Sequence, residues 1–161
     1  MFAVPANTVA LSAVPAAVHP ARIAASVARD RHRWAHLLRY DPAERYSALI
    51  ESTGEVEIWL LSWLPGQHTD LHDHAGSAGA FTVVSGVLTE RVIRRPNPAA
   101  RPVEVQHPVV VGQTRVFGPS YVHQVRNAGV DPAVSIHVYR PERAGMTPYH
   151  FDPATGLSPV D

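Results

Sequence analysis

From Tyr46 to Tyr139 the chain is a succession of short runs rich in β-branched and aromatic residues, each closed by a turn signal. The runs fall at 46–52, 55–64, 80–84, 87–93, 103–106, 109–111, 114–117, 123–126 and 133–139. Between them stand Thr53-Gly54, Pro65-Gly66, Ser85-Gly86, Pro96-Asn97-Pro98, Val111-Gly112, Gly118-Pro119 and Asn127-Ala128-Gly129. Many short strands with regular turns require an antiparallel sandwich or barrel. No repeat with a period of about 20–50 residues is present, and 161 residues suit one well-buried core rather than two.

Ahead of these strands the pattern is helical. Ile23, Val27, Trp34, Leu37 and Leu38 recur at spacings near three and four, and Pro20 suits a first helical turn. Residues 1–42 are therefore expected to form a tail and an amphipathic helix packed on the barrel, with residues 43–161 forming the barrel and the whole a single domain. The segment before Pro20 is apolar and alanine-rich, but it lacks early positive charge and is broken by Pro5 and Pro15, so a signal peptide is not expected. No run of 18 apolar residues spans a bilayer. After Arg140 the chain is rich in Pro and Gly, and a surface-wrapping tail is expected.

With 14 basic and 14 acidic residues the chain is neutral and has no basic block. Neither nucleic acid nor an anionic membrane is expected as a partner. There is no cysteine, which removes disulfides, thiolate ligands and a cysteine nucleophile and fits a reducing cytoplasm. Oligomeric state leaves no mark on the sequence.

The chemistry-bearing motif is His72-Asp73-His74, with His123 further on. In a strand alternate side chains share a face, so His72 and His74 lie roughly 6–7 Å apart at Cα and both imidazoles can converge on one ion. Asp73 then points away. His32 and His36 stand four apart on the expected helix, but among Arg29, Arg31 and Arg33 they read as a solvated face.

Gly66-x5-His72-x-His74 followed by Gly86, and Gly112-x10-His123-x3-Asn127, resemble in order and spacing the two motifs of the cupin barrels, over residues 43 to 140. The resemblance implies an all-β cupin double-stranded β-helix, or jelly-roll, with an N-terminal α-helix. Cupins carry a glutamate ligand five residues after the second histidine; here that place is Gly79. The implied ligands are His72, His74 and His123, three neutral imidazoles that leave a divalent ion its full charge and three free positions in octahedral geometry. Imidazole also accepts Zn, Cu and Ni, so a zinc hydrolase, a cupin enzyme with a non-thiol substrate and a non-catalytic ligand-binding cupin remain open.

The chain further resembles the bacterial type of the cysteine dioxygenase, or thiol dioxygenase, family, which uses three histidines. Ser135-Ile136-His137-Val138-Tyr139 is similar to that family's Ser-x-His-x-Tyr strand, and alternation puts the three polar side chains on one face. The resemblance implies Fe(II) as cofactor, a small thiol such as cysteine or 3-mercaptopropionate and O2 as reactants, a sulfinic acid as product, and Tyr139, His137 and Ser135 as a catalytic relay. In mammalian-type members a cysteine at the position of Gly79 forms a thioether with the relay tyrosine; Tyr139 is expected unmodified. Tyr46 is similar to a tyrosine lining the substrate pocket, and Trp63 to an aromatic used for packing. Two residues after Tyr46, where the family carries a carboxylate-binding Arg or Gln, stands Ala48. Arg45 is expected to point to the other face of that strand. The thiol is therefore not identified.

Overall fold

The computed structural model describes residues 18–140 and 145–161; the expectations for the apolar N-terminal tail up to residue 17 lie outside them. Helix α1 (Pro20–Arg29) opens on His19, whose Nδ1 accepts the Ala21 amide at 3.1 Å, with Pro20 in the first turn. It ends at Arg29 rather than at Leu38. Two 3-10 turns, Arg31–Arg33 and Ala35–Leu37, follow. At that end the Val27 carbonyl accepts both the Asp30 amide, at 3.0 Å, and the Trp34 indole N–H, which turns back to it at 3.0 Å.

The strands are β1 (Tyr46–Ser52), β2 (Glu57–Trp63), β3 (His72–Asp73), β4 (Ala78–Ser85), β5 (Val87–Arg94), β6 (Val103–Val110), β7 (Thr114–Phe117), β8 (His123–Arg126), β9 (Ala133–Arg140), β10 (Thr147–Asp152) and β11 (Gly156–Pro159). They form two antiparallel sheets in the orders β1-β2-β9-β4-β7 and β11-β10-β3-β8-β5-β6. The two expected runs around Pro108 are one strand, β6, at a sheet edge, where a residue without an N–H is tolerated. The segment after Arg140 departs from expectation. Its β10–β11 hairpin extends the second sheet, β10 pairs with β3 through Pro148 opposite His72, and Tyr149, Phe151 and Leu157 cover Leu71, Ile93 and Val122.

The first sheet is buried on both sides, which is why β9 has no exposed residue. Val134, Ile136 and Val138 pack outward with Ala24, Val27 and Trp34 beneath α1. Tyr139 packs inward with Trp63, Phe81 and Phe117. This parity decides what faces the site. In β1, Tyr46 lies opposite Ser62 and Ala48 opposite Leu60, and Leu60 belongs to the outward, helix-covered core together with Ala48 and Ile50.

Candidate metal centre and its cavity

β3 and β8 are neighbours with His72 opposite His123, and His74 follows just beyond β3. The ring centroids lie 4.7 Å apart for His72–His74, 4.9 Å for His72–His123 and 5.2 Å for His74–His123. One ligand nitrogen from each lies within 4.8 Å of the others, and all three residues are buried. Among the described residues this is the one such cluster. Asp73 points away and accepts the Tyr149 hydroxyl at 2.9 Å, while His32 and His36 stand exposed.

Two of the three rings are held in the tautomer that a metal needs. His72 Nδ1 lies 2.7 Å from the Asp70 carbonyl. A carbonyl only accepts, so Nδ1 carries the proton and Nε2 keeps its lone pair. His123 Nδ1 lies 2.8 Å from Glu90 Oε1, which fixes the same tautomer, and its Nε2 meets His74 Nε2 at 3.0 Å. The donor set therefore fits a divalent metal: three buried imidazoles with converging ring nitrogens, and a carboxylate orienting one ring from behind. Burial, then the neighbouring His123 and Arg45, push His72 down to about 4 against the opposing pull of the Asp70 carbonyl, so it is neutral at neutral pH.

Glu90 escaped the motif reading. It is fully buried and also accepts from Arg115 Nε, and the Arg115 guanidinium reaches the Tyr121 hydroxyl at 3.3 Å. Burial alone would raise the Glu90 carboxyl. The hydrogen bond and charge of His123, then those of Arg115, outweigh it and hold the group below the usual carboxylate range. A signal was available: Leu88, Glu90 and Val92 share the buried face of β5, and a charge placed there demands partners.

Phe117 was missed as well, and it explains Gly79. A Cβ at Gly79 would stand 2.1 Å from the Val138 carbonyl oxygen and 2.7 Å from the Phe117 ring. That ring stacks on His74 at 4.4 Å and 26°. An aromatic face thus fills the volume where cupins place their carboxylate ligand, and close approach, with no unusual φ, excludes a side chain at residue 79.

The relay strand presents Ser135 and His137 to the same interior. Ser135 Oγ lies 2.8 Å from His137 Nε2, the Phe81 ring stacks on His137 at 5.0 Å and 10°, and the Tyr139 ring lies 5.0 Å from that of His74. Trp63 does pack in this core, and its indole N–H also donates to Ser135 Oγ at 2.9 Å.

The substrate side needs correction. Tyr46 does not line the cavity: its hydroxyl donates to the Leu37 carbonyl at 3.0 Å, on the helix-covered side. Ala48 shares that side. Arg45 does point to the opposite face, as alternation demands, but that face is the cavity. The only register shift in the β1–β2 pair lies further on, between Leu49 and Glu51. Face identity in a strand inverts wholesale with parity, and the register against β2 decides it. The Arg45 guanidinium lies 4.9 Å from the Trp63 ring centroid. It lines a small inner cavity with the three histidines, His137, Tyr139 and Met146. It also lines an outer chamber of about 370 Å³ with His68, Thr69, Asp70 and His72.

The family model described as cysteine dioxygenase type I matches residues 11–150 of this chain. The chain belongs to the cysteine dioxygenase type I family. It is 25% identical over 132 residues to the cysteine dioxygenase type 1 of Homo sapiens, covering 79% of this chain and 65% of that one. With the cysteine dioxygenase type 1 of Rattus norvegicus it shares 26% over 128 residues, 76% of this chain and 63% of the relative. The chain thus spans under two thirds of the length of these relatives. In fold it is similar to a conserved Klebsiella pneumoniae protein with a double-stranded β-helix domain, at TM-score 0.60 and 20% identity over 71% of this chain and 86% of the other. It is also similar to a Thermus thermophilus protein, at TM-score 0.57 and 23% identity over 66% and 92%. These likenesses establish the cupin barrel with its short N-terminal helix. Among the described residues of this cysteine dioxygenase family member, no helix is long and apolar enough to cross a membrane.

Proposed function

We propose that this protein is a mononuclear Fe(II) thiol dioxygenase that converts a small, carboxylate-bearing thiol and O2 into the sulfinic acid. Both oxygen atoms end on sulfur, so the balance RSH + O2 → RSO2H needs no external reductant. One observation carries the reading: in a chain of the cysteine dioxygenase family, three buried histidines turn their ligand nitrogens to a common point at the floor of a cavity whose wall bears Arg45. A ferrous ion held on His72, His74 and His123 would supply electron exchange with dioxygen at a point that also accepts a thiolate.

The side chains have separable roles. Arg45 grips the substrate carboxylate with a planar, permanently charged fork, replacing the group whose absence at Ala48 left the substrate unidentified. Its neighbour Asp70, on the outer chamber wall, faces the other end of a small zwitterion. Leu61 and Val125, on the wall of the inner cavity, keep bulk water from the sulfur. Tyr139 orients the reacting group through its hydroxyl, with His137 and Ser135 behind it. The inner cavity, about 10 Å³, admits little more than one water-sized group, so the thiol enters head first and the carboxylate stays at the mouth. This chemistry suits a reducing cytoplasm, where small thiols stay reduced.

The test is a panel of cysteine, 3-mercaptopropionate, cysteamine, mercaptosuccinate and homocysteine supplied to Fe(II)-loaded protein, with O2 uptake and sulfinate followed together. Carboxylate-bearing thiols are expected to be consumed and cysteamine, which has no carboxylate, to be poor. Consumption of none of them by iron-replete protein would overturn the thiol reading, and cysteamine turning over as well as the acids would overturn the role of Arg45.

A further inference from the structure

The hydroxyl of Ser135 has two polar partners, and their chemistry is unequal. Trp63 Nε1 lies 2.9 Å away and His137 Nε2 2.8 Å away. An indole nitrogen only donates, so the Trp63 N–H occupies a lone pair of Oγ and cannot receive the hydroxyl proton. Trp63 and Ser135 are fully buried and His137 nearly so. The one partner that can accept the Ser135 proton is therefore His137 Nε2. The alternative gives Oγ two donors and strands its own proton in the core, at a cost that holds that arrangement below about one molecule in ten. No carboxylate lies among the groups acting on His137, and burial, followed by Arg45, pushes it well below the usual range, so the ring is neutral.

We propose that Trp63 is a positioning residue that locks Ser135 as donor to His137 Nε2, so that His137 carries its single proton on Nδ1. The cavity beside the three histidines is then offered a hydrogen-bond donor by this ring and no lone pair. Two consequences follow. His137 favours an acceptor small enough for the inner cavity, such as a thiolate sulfur or an oxygen anion, and it cannot act there as a general base. The strand Ser135–Tyr139 is thus read in one direction: Trp63 donates to Ser135, Ser135 donates to His137, and His137 donates toward the cavity. The tautomer itself does not depend on the proposed reaction, and its test does not use turnover.

The experiment is long-range 1H–15N correlation spectroscopy on protein labelled with 15N-histidine and loaded with Zn(II) alone, which keeps the sample diamagnetic. In the wild type, His137 Nε2 is expected to resonate as an unprotonated acceptor and Nδ1 as a protonated nitrogen; the reverse overturns the proposal. Ser135→Ala removes the donor, and its two ring-nitrogen shifts should move toward each other as both tautomers populate; unchanged shifts would show that the hydroxyl does not select the tautomer. Trp63→Phe removes the N–H and opens space for a water that can take the Ser135 proton. It should shift the two nitrogens in the same sense, with Zn(II) content unchanged. Wild-type shifts in a folded, zinc-replete Trp63→Phe protein would overturn the role of Trp63. Should Trp63→Phe fail to fold, Ser135→Thr, which keeps the hydroxyl, is expected to retain the wild-type pattern, and loss of that pattern in a folded Ser135→Thr protein would count against the lock.

Discussion

Glu90→Gln isolates the carboxylate behind His123. Glutamine preserves volume and can still accept from His123 Nδ1, so the ring keeps a partner and the fold should survive. What is lost is the negative charge, which lies 2.8 Å from the imidazole in a fully buried position. That charge makes the opposite nitrogen a better donor to a metal. Arg115 shares the carboxylate but is itself about a quarter exposed, so its unpaired guanidinium can return to water instead of destabilising the core. Loss of such an outer carboxylate weakens metal binding about 10–100-fold, or about 1.4–2.8 kcal/mol. Anaerobic titration of apoprotein with Co(II) or Fe(II) against a competing chelator measures this directly, with circular dichroism and the urea midpoint as controls for folding. A metal Kd within about twofold of wild type in a fully folded Glu90→Gln protein would refute the reasoning and leave strand geometry alone as the orienting force. Arg115→Met is the counterpart, and because it leaves the whole carboxylate to His123, it should not weaken binding.

Arg45→Met is expected to raise KM for a carboxylate-bearing thiol about 10–100-fold, the worth of a charge-assisted bond, while leaving metal content unchanged; an unaltered KM would remove Arg45 from substrate recognition. Gly79→Ala should lower stability by about 1–3 kcal/mol, because the added carbon overlaps the Val138 carbonyl and the Phe117 ring; an unchanged urea midpoint would contradict that packing. The metal-free protein should lose stability in mild acid. His72 titrates near 4 when folded against 6.5 ordinarily, so between those values the unfolded chain binds a proton that the native state does not. The contribution is intact above about pH 6.5 and falls as pH drops toward 4, by about 2 kcal/mol at pH 5 from this residue alone. Denaturation curves at pH 7 and pH 5 that coincide would show that His72 is not held neutral by burial.

Much of this was legible in the strand periodicity. The runs at 46–52, 114–117 and 123–126 coincide with β1, β7 and β8 because turn residues fix where an extended segment must stop. The end of α1 was not legible, since the apolar period continues to Leu38 while the chain passes after Arg29 into two 3-10 turns that keep Trp34 folded back on Val27. Nor was the β10–β11 hairpin, whose pairing with β3 reaches back some seventy residues and leaves no local mark.

The sequence by itself determined the all-β class, the His72/His74 pair and the Ser135-His137-Tyr139 alternation, because each follows from spacing along a strand, a local property with a period of two. The cupin class and His123 came from the order and spacing of motifs that resemble a known family. Tertiary structure alone decided which face of β1 looks inward, replacing Tyr46 and Ala48 by Arg45. It also brought Glu90 behind His123, Phe117 into the space beside Gly79, and the Trp63 indole onto Ser135. All four depend on the register between paired strands, in three cases strands distant in sequence, and a shift of one residue in such a register turns every side chain to the opposite side of the sheet.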